Sequence, residues 1–187
     1  MNTLITSEQM KGFQELKRDA QQMQRKGLPF MMASVVIWSL NEVLQCMNLG
    51  VERANFLTFV TTCLLMPLAF LFSRLLGSNI FQKTENPINK LAFLCTMNQM
   101  LYLLIVMWAC NRAPEAMVMI FAMVFAAHLL PYGWAYDNKA YTVISITETI
   151  GALALGCLFG NQIMIGFMIL LQIILCSFLF ADVKKMK

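Results

Sequence analysis

Polar side chains recur inside long apolar stretches of this 187-residue chain, and their chemistry is the first clue to function. Asn41, Gln45 and Asn48 have the spacing i, i+4 and i+7, which places them on one face of a helix. Glu42 flanks that face. Other apolar stretches contain Asn98, Gln99, His128, Glu148 and Gln172. Because such groups inside a membrane typically bind polar substrates or cations or carry protons, Asn41, Glu42, Gln45 and these five residues are predicted substrate- or proton-binding residues.

Depth in the membrane predicts which of these side chains meet. A helix rises about 1.5 Å per residue, so residues at equal distance from a membrane edge lie in one layer. Three groupings result: Glu42 with Thr61 or Thr62, His128 with Glu148, and Asn98 with Gln172. A dry interior favours the neutral form of the Glu42 and Glu148 carboxyl groups. If His128 lies beside Glu148, the pair instead favours the charged forms of both residues. The structural alternative is that these groups only hold helices together by hydrogen bonds.

The composition indicates which elements position these residues. Only 13% of the chain is charged, 59% is hydrophobic and the mean hydropathy is +0.64, whereas soluble domains carry about 25% charged residues. Six apolar segments have about the 20 residues that span a bilayer. They cover approximately residues 28–49, 54–76, 88–111, 114–135, 141–160 and 163–182. The predicted fold is an all-α, polytopic membrane helix bundle with six transmembrane helices.

Three regions follow from this pattern. Residues 1–27 mix charges with Met10, Phe13 and Leu16 at helical spacing, which predicts an amphipathic cytoplasmic helix on the membrane surface. The alternative for this segment is a solvated helix or an unstructured tail. Residues 28–182 form the six-helix transmembrane domain, and residues 183–187 form a cytoplasmic tail.

The basic residues predict the orientation. In a six-span arrangement, twelve Lys and Arg residues fall on the side of the two chain ends, and only Arg53 and Arg112 fall on the other. Because cytoplasmic loops are enriched in Lys and Arg, both termini are predicted to be cytoplasmic.

Several residues predict local packing. Ala152, Gly156 and Gly160 are four residues apart, which lets another helix approach the fifth span closely. Pro67 and Pro131 should kink or loosen their spans and free a carbonyl group. Tyr132, Trp134, Tyr136 and Tyr141 cluster at one membrane edge, a pattern typical of an aromatic belt.

The sequence argues against several function classes. It has one histidine, no HExxH and no CxxC pair among six cysteines, so no metal site, disulfide framework or cofactor is predicted. No G-x-S-x-G motif or phosphate-binding glycine-rich loop occurs. Because no dense basic run is interleaved with aromatic residues, no nucleic-acid partner is predicted.

Four stretches carry a resemblance to a known family: Lys26–Phe30, Leu65–Phe70, Asn98–Tyr102 and His128–Tyr132. They resemble a family of small bacterial multi-pass inner-membrane proteins with no assigned function, from residue 26 onward. The resemblance implies a bacterial cytoplasmic membrane and a shared set of polar positions. It implies no substrate, cofactor or mechanism.

The sequence therefore favours a small permease or transport-related protein with a polar intramembrane site, whose partner is the lipid bilayer. The alternative is a non-transporting membrane partner or assembly subunit, either as a homo-oligomer or bound to another membrane protein. An intramembrane enzyme using His128 and Glu148 is the third interpretation.

Overall fold

The computed structural model describes residues 7–47, 49–80, 82 and 84–186, and these contain nine α-helices and no strand. The predicted polar residue Asn48 lies outside the described residues. The helices are α1 (Ser7–Met23), α2 (Leu28–Cys46), α3 (Val51–Thr62), α4 (Leu65–Leu75), α5 (Pro87–Arg112), α6 (Met117–Ala127), α7 (Leu130–Ala135), α8 (Lys139–Phe159) and α9 (Asn161–Lys185).

Six of the helical segments are long and apolar enough to cross a membrane. They are Arg25–Cys46, Val51–Leu75, Pro87–Arg112, Pro114–Ala135, Lys139–Phe159 and Asn161–Lys185, numbered below as spans 1 to 6. No predicted boundary differs by more than three residues from the observed one; for example, 182 was predicted and Lys185 is observed. The all-helical fold with six spans is confirmed, and the chain is a multi-pass membrane protein.

Spans 2 and 4 are each interrupted within their length, span 2 near its middle and span 4 about two thirds of the way along. Pro67 and Pro131 have no N–H to donate to the carbonyl four residues earlier, so the regular ladder breaks at residues 63–64 and 128–129. In span 2, the hydroxyls of Thr61 and Thr62 both bond the Thr58 carbonyl oxygen, at 2.9 and 2.8 Å. The predicted loosening by the two prolines is confirmed.

The spans alternate in direction, so the start of span 1 and the end of span 6 lie at the same end of the bundle. There the Lys26 Nζ atom lies 3.1 Å from Asp182 Oδ2, and the Asn138 amide donates to the same oxygen at 2.9 Å. This end is called the terminal end below. At the opposite end, the Asn55 amide donates to the Pro114 carbonyl at 2.9 Å.

Helix α1 packs against the terminal end of the bundle. The Asn86 amide donates at 2.8 Å both to the Leu16 carbonyl and to Asp19 Oδ2. Lys17 is buried, with its ammonium 4.1 Å from the centre of the Trp134 ring. The basic residue therefore binds an aromatic face of the protein instead of pointing to lipid headgroups.

The outer surface of the bundle is apolar. On α5, Phe93, Leu101 and Trp108 are all more than 60% exposed. Exposure of such a large apolar surface to water is unfavourable, whereas contact with lipid chains carries no such free-energy cost. The structure thus places the remaining polar groups, with few exceptions, between the helices.

Candidate functional site

Three side chains form a polar triad in the centre of the bundle. The Gln172 Nε2 group on α9 donates to both carboxyl oxygens of Glu148 on α8, at 2.8 and 2.9 Å. The Gln172 carbonyl oxygen accepts from the Ser34 hydroxyl on α2 at 2.9 Å. Each of the three is at most 1% exposed. The triad therefore joins spans 1, 5 and 6 through hydrogen bonds in a dry interior.

The Glu148 carboxyl has neutral hydrogen-bond partners only. The ion pairs within the described part of the chain are Lys26 with Asp182 and Lys90 with Glu85. A carboxylate without a counter-ion in such a site would cost several kcal/mol. The triad is thus suited to a carboxyl that gains and loses a proton, or to one that stays neutral.

His128 is not paired with Glu148, and this corrects the sequence prediction. The His128 Nδ1 atom bonds the Phe125 carbonyl of its own helix. The register explains the separation, because the Ser145 hydroxyl donates to the Ala126 carbonyl at 2.8 Å. The helices run in opposite directions, so His128 lies toward the terminal end from that contact and Glu148 lies away from it. The two are offset by about 7 Å along the bundle axis.

His128 instead borders a cavity of about 130 Å³ in the terminal half of the bundle. The interruptions of spans 2 and 4 both reach it, because Leu65 and Met66 follow the first break and His128 lies in the second. Apolar rings and polar groups share the wall. The residues that line the cavity include Gln24, Phe30, Met31, Phe93, Thr96, Gln99, Phe125, Tyr132, Tyr136 and Tyr141.

Three tyrosines supply hydroxyl groups to this wall. The Tyr132 hydroxyl lies 2.8 Å from the Thr96 hydroxyl, Tyr136 donates to Gln24 Oε1 at 2.7 Å, and Tyr141 donates to the Lys26 carbonyl at 2.7 Å. Burial raises the pKa of the Tyr136 phenol, so this group remains a hydrogen-bond donor. We call these three residues with His128 the aromatic cluster.

Sequence reasoning missed the aromatic cluster. Tyr136 and Tyr141 are 2% and 1% exposed, so their assignment to an aromatic belt is wrong, whereas Trp134 is 52% exposed. A signal was available: His128, Tyr132 and Tyr136 are four residues apart, the spacing of one helix face. Consecutive rings lie 5.9 and 5.8 Å apart in the structure.

The neighbours Asn98 and Gln99 point in different directions. Gln99 is buried and borders the cavity, whereas Asn98 is exposed on the outside of α5 and donates to the Tyr102 hydroxyl at 2.8 Å. Adjacent residues on a helix differ by about 100°, so only one of them can face the interior. The predicted layer of Asn98 with Gln172 is therefore wrong, because Gln172 bonds Glu148 and Ser34.

Residues 13–182 match the model of a family of unknown function, DUF7010. The chain belongs to the DUF7010 family. The predicted resemblance to a family without an assigned function is thereby confirmed. No curated protein and no solved structure matches the chain.

The polar face of span 1 lies nearer the opposite end of the DUF7010 bundle. Asn41 is fully buried, donates to the Ile37 carbonyl at 2.9 Å and accepts from the Thr61 hydroxyl at 3.3 Å. Glu42 is partly exposed, and its buried Oε2 atom has no hydrogen-bond partner among the described residues. The predicted contact of Glu42 with Thr61 or Thr62 is wrong. The Thr61 hydroxyl donates to Asn41, and the Thr62 hydroxyl donates to the Thr58 carbonyl.

Gln45 is the last of the predicted polar residues on span 1. Its side chain is partly exposed, and its backbone carbonyl lies 3.5 Å from the Gln162 Nε2 atom. It therefore lies where span 1 and the start of span 6 meet, outside both the triad and the cavity wall.

The three small residues of span 5 have different environments in the DUF7010 structure. Ala152 is fully buried. A Cβ on Gly156 would lie 2.7 Å from the Met119 sulfur, so this glycine allows α6 to approach α8 closely. Gly160 has a φ of +84° and ends α8, and a Cβ added there would have no neighbouring atom within 4 Å. Two of the three positions thus lie at helix contacts, and the third lies at the turn between spans 5 and 6.

Proposed function

We propose that this DUF7010 protein is a small permease that binds its ligand in the cavity bordered by the aromatic cluster. The observation that carries the proposal is that both interrupted spans reach the same cavity. Broken membrane helices are typical of transporter binding sites, because their free backbone groups and their flexibility serve binding and movement. An interruption that served packing alone has no reason to border a cavity.

The cavity wall defines the class of ligand. Within the described part of the chain its lining contains no Asp, Glu, Lys or Arg, and it combines phenylalanine and tyrosine rings with Thr96, Gln99 and His128. A cavity of about 150 Å³ accommodates benzene. The ligand is therefore a small uncharged molecule of about that size, with a ring or short apolar body and one or two hydrogen-bonding groups.

Glu148 is the proposed coupling group. The Ser34 hydroxyl has one proton, which the Met31 carbonyl at 2.7 Å and the Gln172 carbonyl oxygen at 2.9 Å share as acceptors, and Met31 also borders the cavity. A change of hydrogen bonding in the triad is therefore transmitted to the cavity wall through one residue of span 1. Protonation of Glu148 would alter the bond to Gln172 and, through Ser34, the position of Met31.

Binding of phenol, used as a probe, tests the ligand site. Purified protein in detergent should bind phenol in calorimetry, and Tyr132→Phe should weaken binding about tenfold by removing a polar group of the wall. Tyr102→Phe is the matched control, because Tyr102 bonds Asn98 on the outer face of α5. Equal affinities of all three proteins, or no binding, would contradict the proposal.

A second candidate function is that of a non-transporting subunit. Asn98 lies on the exposed face of α5, where its amide donates to the Tyr102 hydroxyl, and a polar side chain at the lipid-facing surface is costly. A partner helix or a second copy that covers α5 would remove this cost. A photo-crosslinking side chain at position 98 distinguishes the two functions: an adduct with protein supports the subunit, and an adduct with lipid supports a separate permease.

The third interpretation, an intramembrane enzyme, depended on the pair of His128 and Glu148. These residues belong to separate hydrogen-bond networks. We also propose an orientation: the terminal end faces the cytoplasm of a bacterial cell, because it carries ten of the twelve Lys and Arg residues in the described part of the chain.

A further inference from the structure

A second concavity, of about 480 Å³, opens at the terminal end outside the bundle. It lies between the Arg25–Gly27 turn and the segment that follows α4. Arg25 and Arg74 are its charged residues, and Gln22, Ser78 and Asn79 add polar groups. Among the described residues no carboxylate belongs to the lining, and the two guanidinium groups make the concavity electropositive.

The backbone at Arg25 adopts a left-handed conformation that residues with a Cβ rarely adopt. Arg25, Lys26 and Gly27 have φ angles of +48°, +51° and +74°. Left-handed conformations are unfavourable for residues with a Cβ and persist where the surroundings enforce them, often at functional sites. The turn sends Lys26 inward to Asp182, at 3.1 Å, and leaves Arg25 in the concavity.

The opposite wall is held by Ser73, which is 1% exposed. Its hydroxyl donates to the Ser78 carbonyl at 2.8 Å and accepts from the Ile80 N–H at 3.3 Å. These bonds fold the segment after α4 back onto the helix end that carries Arg74. The Arg74 guanidinium lies 5.6 Å from the centre of the Phe70 ring, and this contact orients the Arg74 side chain.

Neither arginine forms an ion pair with an acidic side chain that the structure describes. The two ion pairs of the described residues are formed by Lys26 and Lys90. Arg74 lies in the last turn of span 2, where a membrane helix leaves the hydrocarbon and meets the headgroup region. Guanidinium groups bind phosphate oxygens in a planar, two-bond geometry that a single ammonium cannot match.

We propose that Arg25 and Arg74 bind a phosphate ester, supplied by an anionic phospholipid headgroup or by a free phosphorylated molecule at the membrane surface. The site is separate from the cavity of the aromatic cluster, and it does not depend on the permease proposal. Bound phosphate would fasten the Arg25–Gly27 turn, and hence the start of span 1, to the end of span 2.

Phosphatidylglycerol and inorganic phosphate are the two probes for this site. Titration into protein in lipid-free detergent, followed by native mass spectrometry, should show phosphatidylglycerol binding that phosphatidylcholine does not match. Arg25→Gln and Arg74→Gln should each weaken it about tenfold. Arg18→Gln is the matched control, since Arg18 is exposed at the same end of the bundle outside the concavity.

The probes also separate the two sources of phosphate. If inorganic phosphate competes with the lipid, a free phosphate ester suffices; if it does not, the headgroup and its chains are required. Equal lipid binding by the wild type, Arg25→Gln and Arg74→Gln would overturn the proposal. So would an equal loss for Arg18→Gln, since that result indicates a diffuse surface effect.

Arg25→Gly adds a test that folding cannot obscure. Glycine adopts positive φ without strain, so this variant should melt at or above the temperature of the wild type. It should nevertheless lose phosphatidylglycerol binding as Arg25→Gln does. Retained binding in Arg25→Gly would overturn the role of the side chain.

Discussion

The amide nitrogen of Gln172 lies 2.8 and 2.9 Å from the two carboxyl oxygens of Glu148, in a site with no measurable exposure. This relationship joins spans 5 and 6 and, through Ser34, span 1. The hydrogen-bond partner of the Glu148 carboxyl is neutral, so no ion pair fixes its charge. A change in its protonation can therefore affect the three helices that the triad joins.

Replacing Glu148 tests the nature of this bond. Glu148→Gln should change the free energy of unfolding by less than about 1 kcal/mol, because an amide oxygen still accepts from Gln172 and no cation loses a partner. Glu148→Leu should cost about 2–3 kcal/mol, since it leaves the buried Gln172 amide without an acceptor. Chemical denaturation in detergent measures both values.

The comparison of the two variants is decisive for the triad. If Glu148→Gln destabilises the protein as much as Glu148→Leu, the triad requires the negative charge of the Glu148 carboxylate. That result would contradict the prediction that a neutral acceptor at position 148 suffices. Gln172→Leu provides the complementary measurement and should resemble Glu148→Leu, because it breaks the same bonds from the other side.

A second prediction concerns the ion pair at the terminal end. Asp182→Ala should cost about 2 kcal/mol, because it leaves the buried Lys26 ammonium unpaired. Lys26→Met should cost only about 1 kcal/mol, since the Asp182 side chain is 37% exposed and water screens it. Urea unfolding of the purified protein measures the difference.

Lys90 provides the control for that prediction. It pairs with Glu85, and the nearby ammonium lowers the pKa of the Glu85 carboxyl. Both side chains are exposed, so Lys90→Met should leave the melting temperature unchanged. Equal losses for Asp182→Ala and Lys90→Met would show that burial at the terminal end has no influence on ion-pair strength.

A third prediction compares two glycines. Gly27 has a φ of +74°, and an added Cβ would lie 2.9 Å from the Tyr141 hydroxyl. Gly27→Ala should therefore cost about 1–3 kcal/mol through backbone strain and displacement of the aromatic cluster. Gly12→Ala is the matched control: no atom lies within 4 Å, and alanine in a helix stabilises by up to about 1 kcal/mol.

Thermal melts of the two glycine variants read out this comparison. A melting temperature for Gly27→Ala equal to or above that of the wild type would contradict the close contact of the span 1 start with Tyr141.

The sequence was sufficient to predict the six spans and their interruptions, because both depend on local properties. Apolar length determines a span, and the missing N–H of Pro67 or Pro131 determines a break. The partners of the polar side chains were not predictable in the same way. Asn98 and Gln99 have equal depth, and only helix rotation decides which one is buried.

The pairing of Glu148 illustrates the same limit. The depths predicted for Glu148 and His128 from the span boundaries are equal, whereas the structure offsets the two residues by about 7 Å, and the observed partner, Gln172, is predicted in another layer. The bond of Ser145 to the Ala126 carbonyl determines the register of the two helices, and a contact between two segments far apart in sequence leaves no local signal.

Accessibility of the cavity from the two sides of the membrane tests the permease proposal most directly. With the six native cysteines replaced by alanine, Thr96→Cys places one thiol in the cavity wall, and Val106→Cys places one in a buried position of the same span. A membrane-impermeant maleimide is then applied to oriented vesicles from either side. We expect Thr96→Cys to react from both sides and Val106→Cys from neither, because a permease opens its site alternately to each side. Reaction of Thr96→Cys from one side only, or from neither, would contradict transport through this cavity.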